Sequence, residues 1–252
     1  MSEIDPTKSL STPKILAGAV AMLRRFSPKP NSIYLDIGAG HGQLIELVRQ
    51  EFTVQPSVCD YTSELLRLPG IKVDVADLNH EPLPYPDNTF DLVTCTEVIE
   101  HLEHYRFTLR EIYRVLKPGG ILVVSTPNIL NLKSRVRFLC YGFYNLFGPL
   151  HFKESALHST GGHINPVGYF YLAHSLTDAG FTGILSAVDK HQRTSRAWLI
   201  PLWIPIKIGA WFAHRREVNN CKTVDASNAA FEHHINSLDV LLGRTIILGC
   251  RK

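Results

Sequence analysis

The chain has 252 residues, 45% hydrophobic and 19% charged, and a formal net charge of +3. That composition supports one large domain with a substantial core, and the charge is too slight to mark a nucleic-acid footprint. Five scattered cysteines (Cys59, Cys95, Cys140, Cys221 and Cys250) contain no CxxC pair, which argues against a zinc or dithiol motif and fits a reducing, cytoplasmic setting.

In chain order, the polar start MSEIDPTKSLSTP precedes an apolar run, Ile15 to Leu23, of signal-like length. A strand follows almost at once, so the run is read as a helix with Thr12 as N-cap and Pro13 at its first position. From residue 33 onward, short apolar runs alternate with longer amphipathic stretches, the pattern of βαβ units and a parallel sheet. Strands are predicted at 33–36, 54–59, 71–75, 90–94, 120–125, 181–188 and 245–250, and helices at 41–50, 102–115 and 167–179. Gly180 ends the last helix. The stretches 129–164 and 190–236 lack clean periodicity and are read as insertions at the sheet rim, within a single domain spanning 1–252. Open α/β sheets bind ligands at that rim.

The stretch YLDIGAGHGQL sets a glycine turn between a strand and a helix, so a ligand can approach bare backbone at a helix N-terminus. Gln43 stands where the dinucleotide GxGxxG pattern wants its third glycine. Asp36 would repel a pyrophosphate but attract a cationic ligand. A second acid, Asp60, lies 18 residues after Gly42 at the end of the next strand, placed to accept from ribose hydroxyls, and Asp77 follows the third strand. Three acids after three successive strands describe a pocket for a nucleoside carrying positive charge.

With these motifs in this order, the chain resembles the class I S-adenosylmethionine-dependent methyltransferases over most of its length, closest in motif to ubiquinone-pathway-like small-molecule O-methyltransferases. The resemblance is carried by LDIGAGHG, the CD at Cys59–Asp60, VADLNHEPLPYPDNTFDLVTCTEVIEHL, REIYRVLKPGGILVVSTPN and GGHINPVGYFYLAHSLTDAGF. It implies a Rossmann-like fold with a seven-stranded, mostly parallel sheet and helices on both faces. It places Asp36, Gly38, Ala39 and Gly40 at the methionine end of S-adenosylmethionine and Asp60 with Tyr61 at the ribose. Asp77 and Leu78 fall at the adenine, and Thr96 closes the pocket from the other side.

Glu97, Glu100 and His101 have i, i+3, i+4 spacing, so a helix over TEVIEHL would set all three on one face above the donor site. Methyl transfer to a hydroxyl needs alignment and proton removal, and a histidine suits the second task. The resembling enzymes include some that hold a divalent metal on such residues, with His163 as a fourth candidate here; the expectation is that none is required. His104 is read as a surface histidine, and His151, His158 and His174 bear no usable spacing relation.

The segment from Asn131 to Phe152 mixes basic and aromatic residues, and in the resembling family the corresponding stretch often forms a lid over the acceptor. All three tryptophans, Trp198, Trp203 and Trp211, fall within residues 196–216, flanked by arginines. Pro201, Pro205 and Lys207 argue against a regular membrane-spanning helix there, whereas tryptophans beside arginines fit an interfacial segment. A core cover or a homodimer contact would give the same pattern. These features favour a small or lipid-linked acceptor and a peripheral place on the inner face of a membrane. The rivals are a nicotinamide-dependent oxidoreductase and a non-catalytic cofactor-binding scaffold at a membrane surface.

Overall fold

The computed structural model describes residues 11–150 and 162–252. Helix α1 (Pro13–Phe26) precedes β1 (Ser32–Ile37), α2 (Gln43–Glu51), β2 (Val54–Asp60), β3 (Val73–Val75) and β4 (Phe90–Thr96). Then come α3 (Tyr105–Val115), β5 (Leu116–Pro127), α4 (Leu132–Tyr141), α5 (Tyr169–Asp178), β6 (Thr182–Val188) and α6 (Arg193–Arg216). Two short helices, α7 (Ala229–His234) and α8 (Leu238–Leu242), lead into β7 (Thr245–Arg251).

The seven strands form one sheet in the order β3-β2-β1-β4-β5-β7-β6, parallel except for β7, which runs antiparallel between β5 and β6. Period-two alternation explains the two layers of core. On β5, Leu122 and Val124 join α3 and α5 residues such as Leu109, Ile112 and Leu172 on one face, while Ile121 and Val123 meet Leu16, Val20 and Leu23 of α1 on the other. Seven predicted strands and four predicted helices are found, with ends shifted by up to four residues.

Three expectations need correction. TEVIEHL forms no helix: a single 3₁₀ turn covers Ile99–His101, and α3 begins at Tyr105. The strand expected at 120–125 begins at Leu116 and takes in Lys117-Pro-Gly-Gly as an irregularity inside β5, with the register jumping from Phe90↔Leu116 to Leu92↔Ile121. Within 190–236 lies the 24-residue helix α6, which runs through both Pro201 and Pro205. Both prolines lie on its exposed side, where water can satisfy the two carbonyls that lose their partners. Among the described residues no helix is long and apolar enough to cross a membrane.

Candidate functional site

From β1 the chain goes one way to β2 and β3 and the other way to β4 and β5, so the sheet order reverses between β1 and β4. A cavity of about 300 Å³ opens at the carboxyl ends of these strands.

One wall comes from chain-local turns. The Gly38 N–H donates to the Cys59 carbonyl at 2.8 Å and the Gly40 N–H to Asp60 Oδ2 at 3.1 Å, so the end of β2 holds the glycine turn. Gly38 has φ +70°, and a Cβ there would lie 2.2 Å from Val98 Cγ2. A side chain at that point would be strained and would have to displace Val98, so the turn presents bare backbone to the cavity.

Asp36 is 1% exposed; its Oδ1 accepts from Thr94 Oγ1 at 2.6 Å, and Thr94 in turn meets the Tyr34 hydroxyl at 2.7 Å. Its Oδ2 is buried with no hydrogen-bond partner. Burial pushes the Asp36 carboxyl up to about 7, the Thr94 bond opposes this, and Asp60 adds to it. Burial likewise raises Asp60 against the pull of the Gly40 N–H. A cation in the cavity would favour the charged form of both carboxyls, opposing the effect of burial. Asp77 is more exposed and bonds to the Asn79 N–H at 3.0 Å and His80 Nδ1 at 2.8 Å. Ala39, Tyr61, Leu78 and Thr96 also line the cavity.

The opposite wall is assembled from distant segments. Glu97 follows β4 with φ +56°, a strained value for a side-chain-bearing residue. Its N–H donates to the Ser125 carbonyl and Oγ, both at 3.2 Å, and Ser125 Oγ donates to Glu97 Oε1 at 3.1 Å. Burial pushes the Glu97 carboxyl up to about 7, with Ser125 and the charge of Arg244 opposing.

Residues 162–167 strap across the 3₁₀ turn. The N–H groups of Ile164 and Asn165 both donate to the Glu100 carbonyl at 3.0 Å, and Asn165 Nδ2 donates to the Leu102 carbonyl at 3.0 Å. The strap sets His163 edge-on to His101, ring centroids 4.8 Å apart, with Phe147 behind it. His101 Nδ1 lies 2.9 Å from the Gly162 carbonyl. A carbonyl only accepts, so Nδ1 carries the proton and Nε2 is left with a free lone pair. Burial lowers His101 below the ordinary histidine value, opposed by the Gly162 carbonyl, and it also lowers His163. At neutral pH the His101 ring is uncharged.

The expected shared face of Glu97, Glu100 and His101 does not form, because no helix carries it. Glu97 and His101 line the cavity, whereas Glu100 is fully buried behind it, its carboxyl raised well above the usual range by burial and by Glu97. Neither Glu100 carboxyl oxygen has a hydrogen-bond partner, nor does His163 Nδ1. Ligand atoms of Glu100, His101 and His163 lie within 4.8 Å of one another. Those donors suit a divalent ion after a small contraction, so the metal-capable trio contains His163 in place of Glu97. His104 is exposed beside α3, while His151 and His158 fall outside the described residues.

Sequence reasoning missed Arg244. It sits between α8 and β7, its N–H donating to the Lys190 carbonyl at 3.0 Å, and among the described residues lining the cavity it is the one Arg or Lys. Its guanidinium makes one long bond, 3.5 Å to Thr12 Oγ1. Nothing in the local sequence GRTIIL marks it, since its place depends on β7 being inserted beside β5. Leu146 and Asn79 were missed for the same kind of reason.

A profile of the family described as methyltransferase domain matches residues 16–186. A demethylmenaquinone methyltransferase of Listeria welshimeri is 32% identical over 165 residues, 59% of this chain and 69% of that protein. A ubiquinone/menaquinone biosynthesis C-methyltransferase of Hydrogenovibrio crunogenus is 36% identical over 38% of this chain and 42% of that protein. The chain spans about half the length of several curated relatives that it matches. Among solved structures, a SAM-dependent methyltransferase from Archaeoglobus fulgidus shares the fold with TM-score 0.54 and 19% identity, covering 94% of each chain.

Proposed function

The chain belongs to the methyltransferase-domain family, and from that premise we propose that it transfers the methyl group of S-adenosylmethionine to an oxygen of a small or lipid-linked acceptor. When bound, the cofactor supplies a methyl group on a sulfonium, already activated for in-line displacement. Asp36 with the Gly38–Gly40 backbone would hold the methionine end, Asp60 and Tyr61 the ribose, and Asp77 and Leu78 the adenine. Four acids and a single guanidinium line the cavity among the described residues. That balance suits a ligand with cationic groups and one carboxylate, which assigns the carboxylate to Arg244.

His101 carries the acceptor half of the reading. Its neutral ring, with Nδ1–H tied to Gly162 and Nε2 free, can take a hydroxyl proton as the oxygen attacks the methyl carbon. Glu97, held by Ser125, is a positioning group beside it. Incubation of the enzyme with isotopically labelled S-adenosylmethionine and a lipid and metabolite extract, read by mass spectrometry, tests this. A labelled methyl ether supports oxygen transfer; a methyl on carbon would replace it with the second reading, which the C-methyltransferase relative favours.

A divalent ion is a further reading of the same corner, held by Glu100, His101 Nε2 and His163. It excludes His101 as base, because one lone pair cannot serve both ends. Exhaustive chelation that leaves turnover intact selects the base; loss restored by magnesium or zinc selects the metal. Calorimetric binding of NAD, with none of S-adenosylmethionine or its demethylated product, would return the chain to the oxidoreductase reading.

A further inference from the structure

Helix α6 is built with two unlike faces. Leu199, Leu202, Trp203 and Ile206 pack against Leu132, Leu241 and Leu242. On the other side Ile200, Ile204 and Ile208 stand at i, i+4 and i+8, with Trp211 and Phe212 continuing the stripe. Ile200 is 87% exposed, Ile204 67% and Phe212 63%, so the outward face is apolar and among the described residues nothing covers it. Burying such a row against an apolar phase is favourable by roughly 25 cal/mol per Å².

The charges on this helix choose the occupant. Arg193 and Arg196 stand at one end and Lys207, Arg215 and Arg216 toward the other, and the 24 residues contain no Asp or Glu. Arg215 lies over the Trp211 ring at 4.9 Å and Lys207 over Trp203 at 4.5 Å, keeping the cations beside the apolar stripe. A second copy of the chain using the same face would press arginine against arginine in either orientation, because a two-fold contact meets itself. Anionic lipid headgroups meet the arginines while the stripe enters the acyl boundary.

We propose that α6 lies in the surface of an anionic lipid bilayer, inserting Ile200, Ile204, Ile208, Trp211 and Phe212, with its terminal arginines at the headgroups. The helix packs on α4, and the chain beyond α4 supplies Leu146 to the cavity wall. Helix α6 is thus joined through α4 to the acceptor side of the site. This extends the reading of a lipid-linked acceptor, yet its test needs no turnover.

All three tryptophans lie on this helix, so the intrinsic tryptophan fluorescence of the full chain reports on it directly. The protein is titrated with vesicles of phosphatidylcholine alone and of phosphatidylcholine with about one-quarter phosphatidylglycerol. The expected result is a blue shift and co-sedimentation with the anionic vesicles, weakened about tenfold or more by salt or by the triple change Ile200→Ser, Ile204→Ser, Ile208→Ser. Arg215→Glu with Arg216→Glu weakens binding while leaving the apolar stripe intact, and far-UV circular dichroism verifies that each variant is folded. Failure of the wild-type chain to bind either vesicle overturns the proposal, as does a stable dimer whose dissociation exposes the stripe. Vesicle binding without methylation of any lipid-linked acceptor would leave the docking surface standing and remove that acceptor class.

Discussion

The two walls of the cavity differ in how they are made. The wall of Asp36, the glycine turn, Asp60 and Asp77 is built from three successive strand ends, and its key contacts run between neighbouring turns. The wall of Glu97, His101, Leu146, His163 and Arg244 draws on segments almost 150 residues apart. One wall is a bare glycine turn flanked by acids at successive strand ends; the other is side chains held by a strap and by inserted strand β7. A bound molecule common to many reactions suits the first construction, and a variable acceptor suits the second.

The contrast breaks most sharply at Gly38. Gly38→Val places a β-branched residue at φ +70° with its Cβ 2.2 Å from Val98 Cγ2. Beyond the left-handed strain of about 1–2 kcal/mol, the clash must displace the turn. Calorimetry with S-adenosylhomocysteine is expected to detect no binding, whereas near-native affinity would mean that the turn is not the floor of the site. His101→Ala acts on the other wall alone. Its turnover is expected to fall about 10²- to 10⁴-fold, with product-cofactor affinity little changed. The wild-type rate should also fall on acidification, because the base is lost as His101 protonates below the ordinary histidine value near 6.5. An acid limb unchanged in a residually active His101 variant would remove that role.

Arg244 sharpens the comparison because it comes from the far wall but is assigned to the cofactor. Arg244→Met should weaken S-adenosylhomocysteine by about 10- to 100-fold, as expected for a lost charge-assisted bond. It should leave 5′-methylthioadenosine, which lacks the amino-acid end, unaffected. Equal loss of both ligands would make Arg244 structural, and loss of neither would transfer it to the acceptor.

The smallest effect concerns Asp36 in the empty protein. Its carboxyl stands at about 7, above the unfolded value of 3.8. A raised acid stabilises the fold at low pH, and that contribution is lost as pH rises through the folded value. Urea unfolding of the ligand-free chain should therefore show stability falling from about pH 4 to about pH 7 and levelling above that; the fall is less steep in Asp36→Asn but not abolished, because Glu97 titrates in the same range. Saturating S-adenosylmethionine should flatten the wild-type slope by favouring the carboxylate.

The sheet and its helices were legible because apolar runs of period two and amphipathic runs of period 3.6 are local patterns. Residues 97–101 were misread because i, i+3, i+4 spacing presumes a helix. Instead, the Ser125 contacts and the left-handed φ of Glu97 hold the chain in a strained turn. Residues 190–236 were misread as irregular because α6 is apolar on both sides, which erases periodicity, and because two prolines sit inside it.

By itself the sequence determined the alternating α/β layers, the glycine turn and the three acids at successive strand ends, since each depends on residues within a few positions of one another. Tertiary structure decided the rest. It set Nε2 of His101 free by fastening Nδ1 to Gly162, put His163 in the place expected of Glu97, and brought Arg244 to Thr12 across 232 residues. It also turned one apolar side of α6 inward and left the other bare. Those outcomes depend on which segments meet in space, and long-range packing leaves no local periodicity to read.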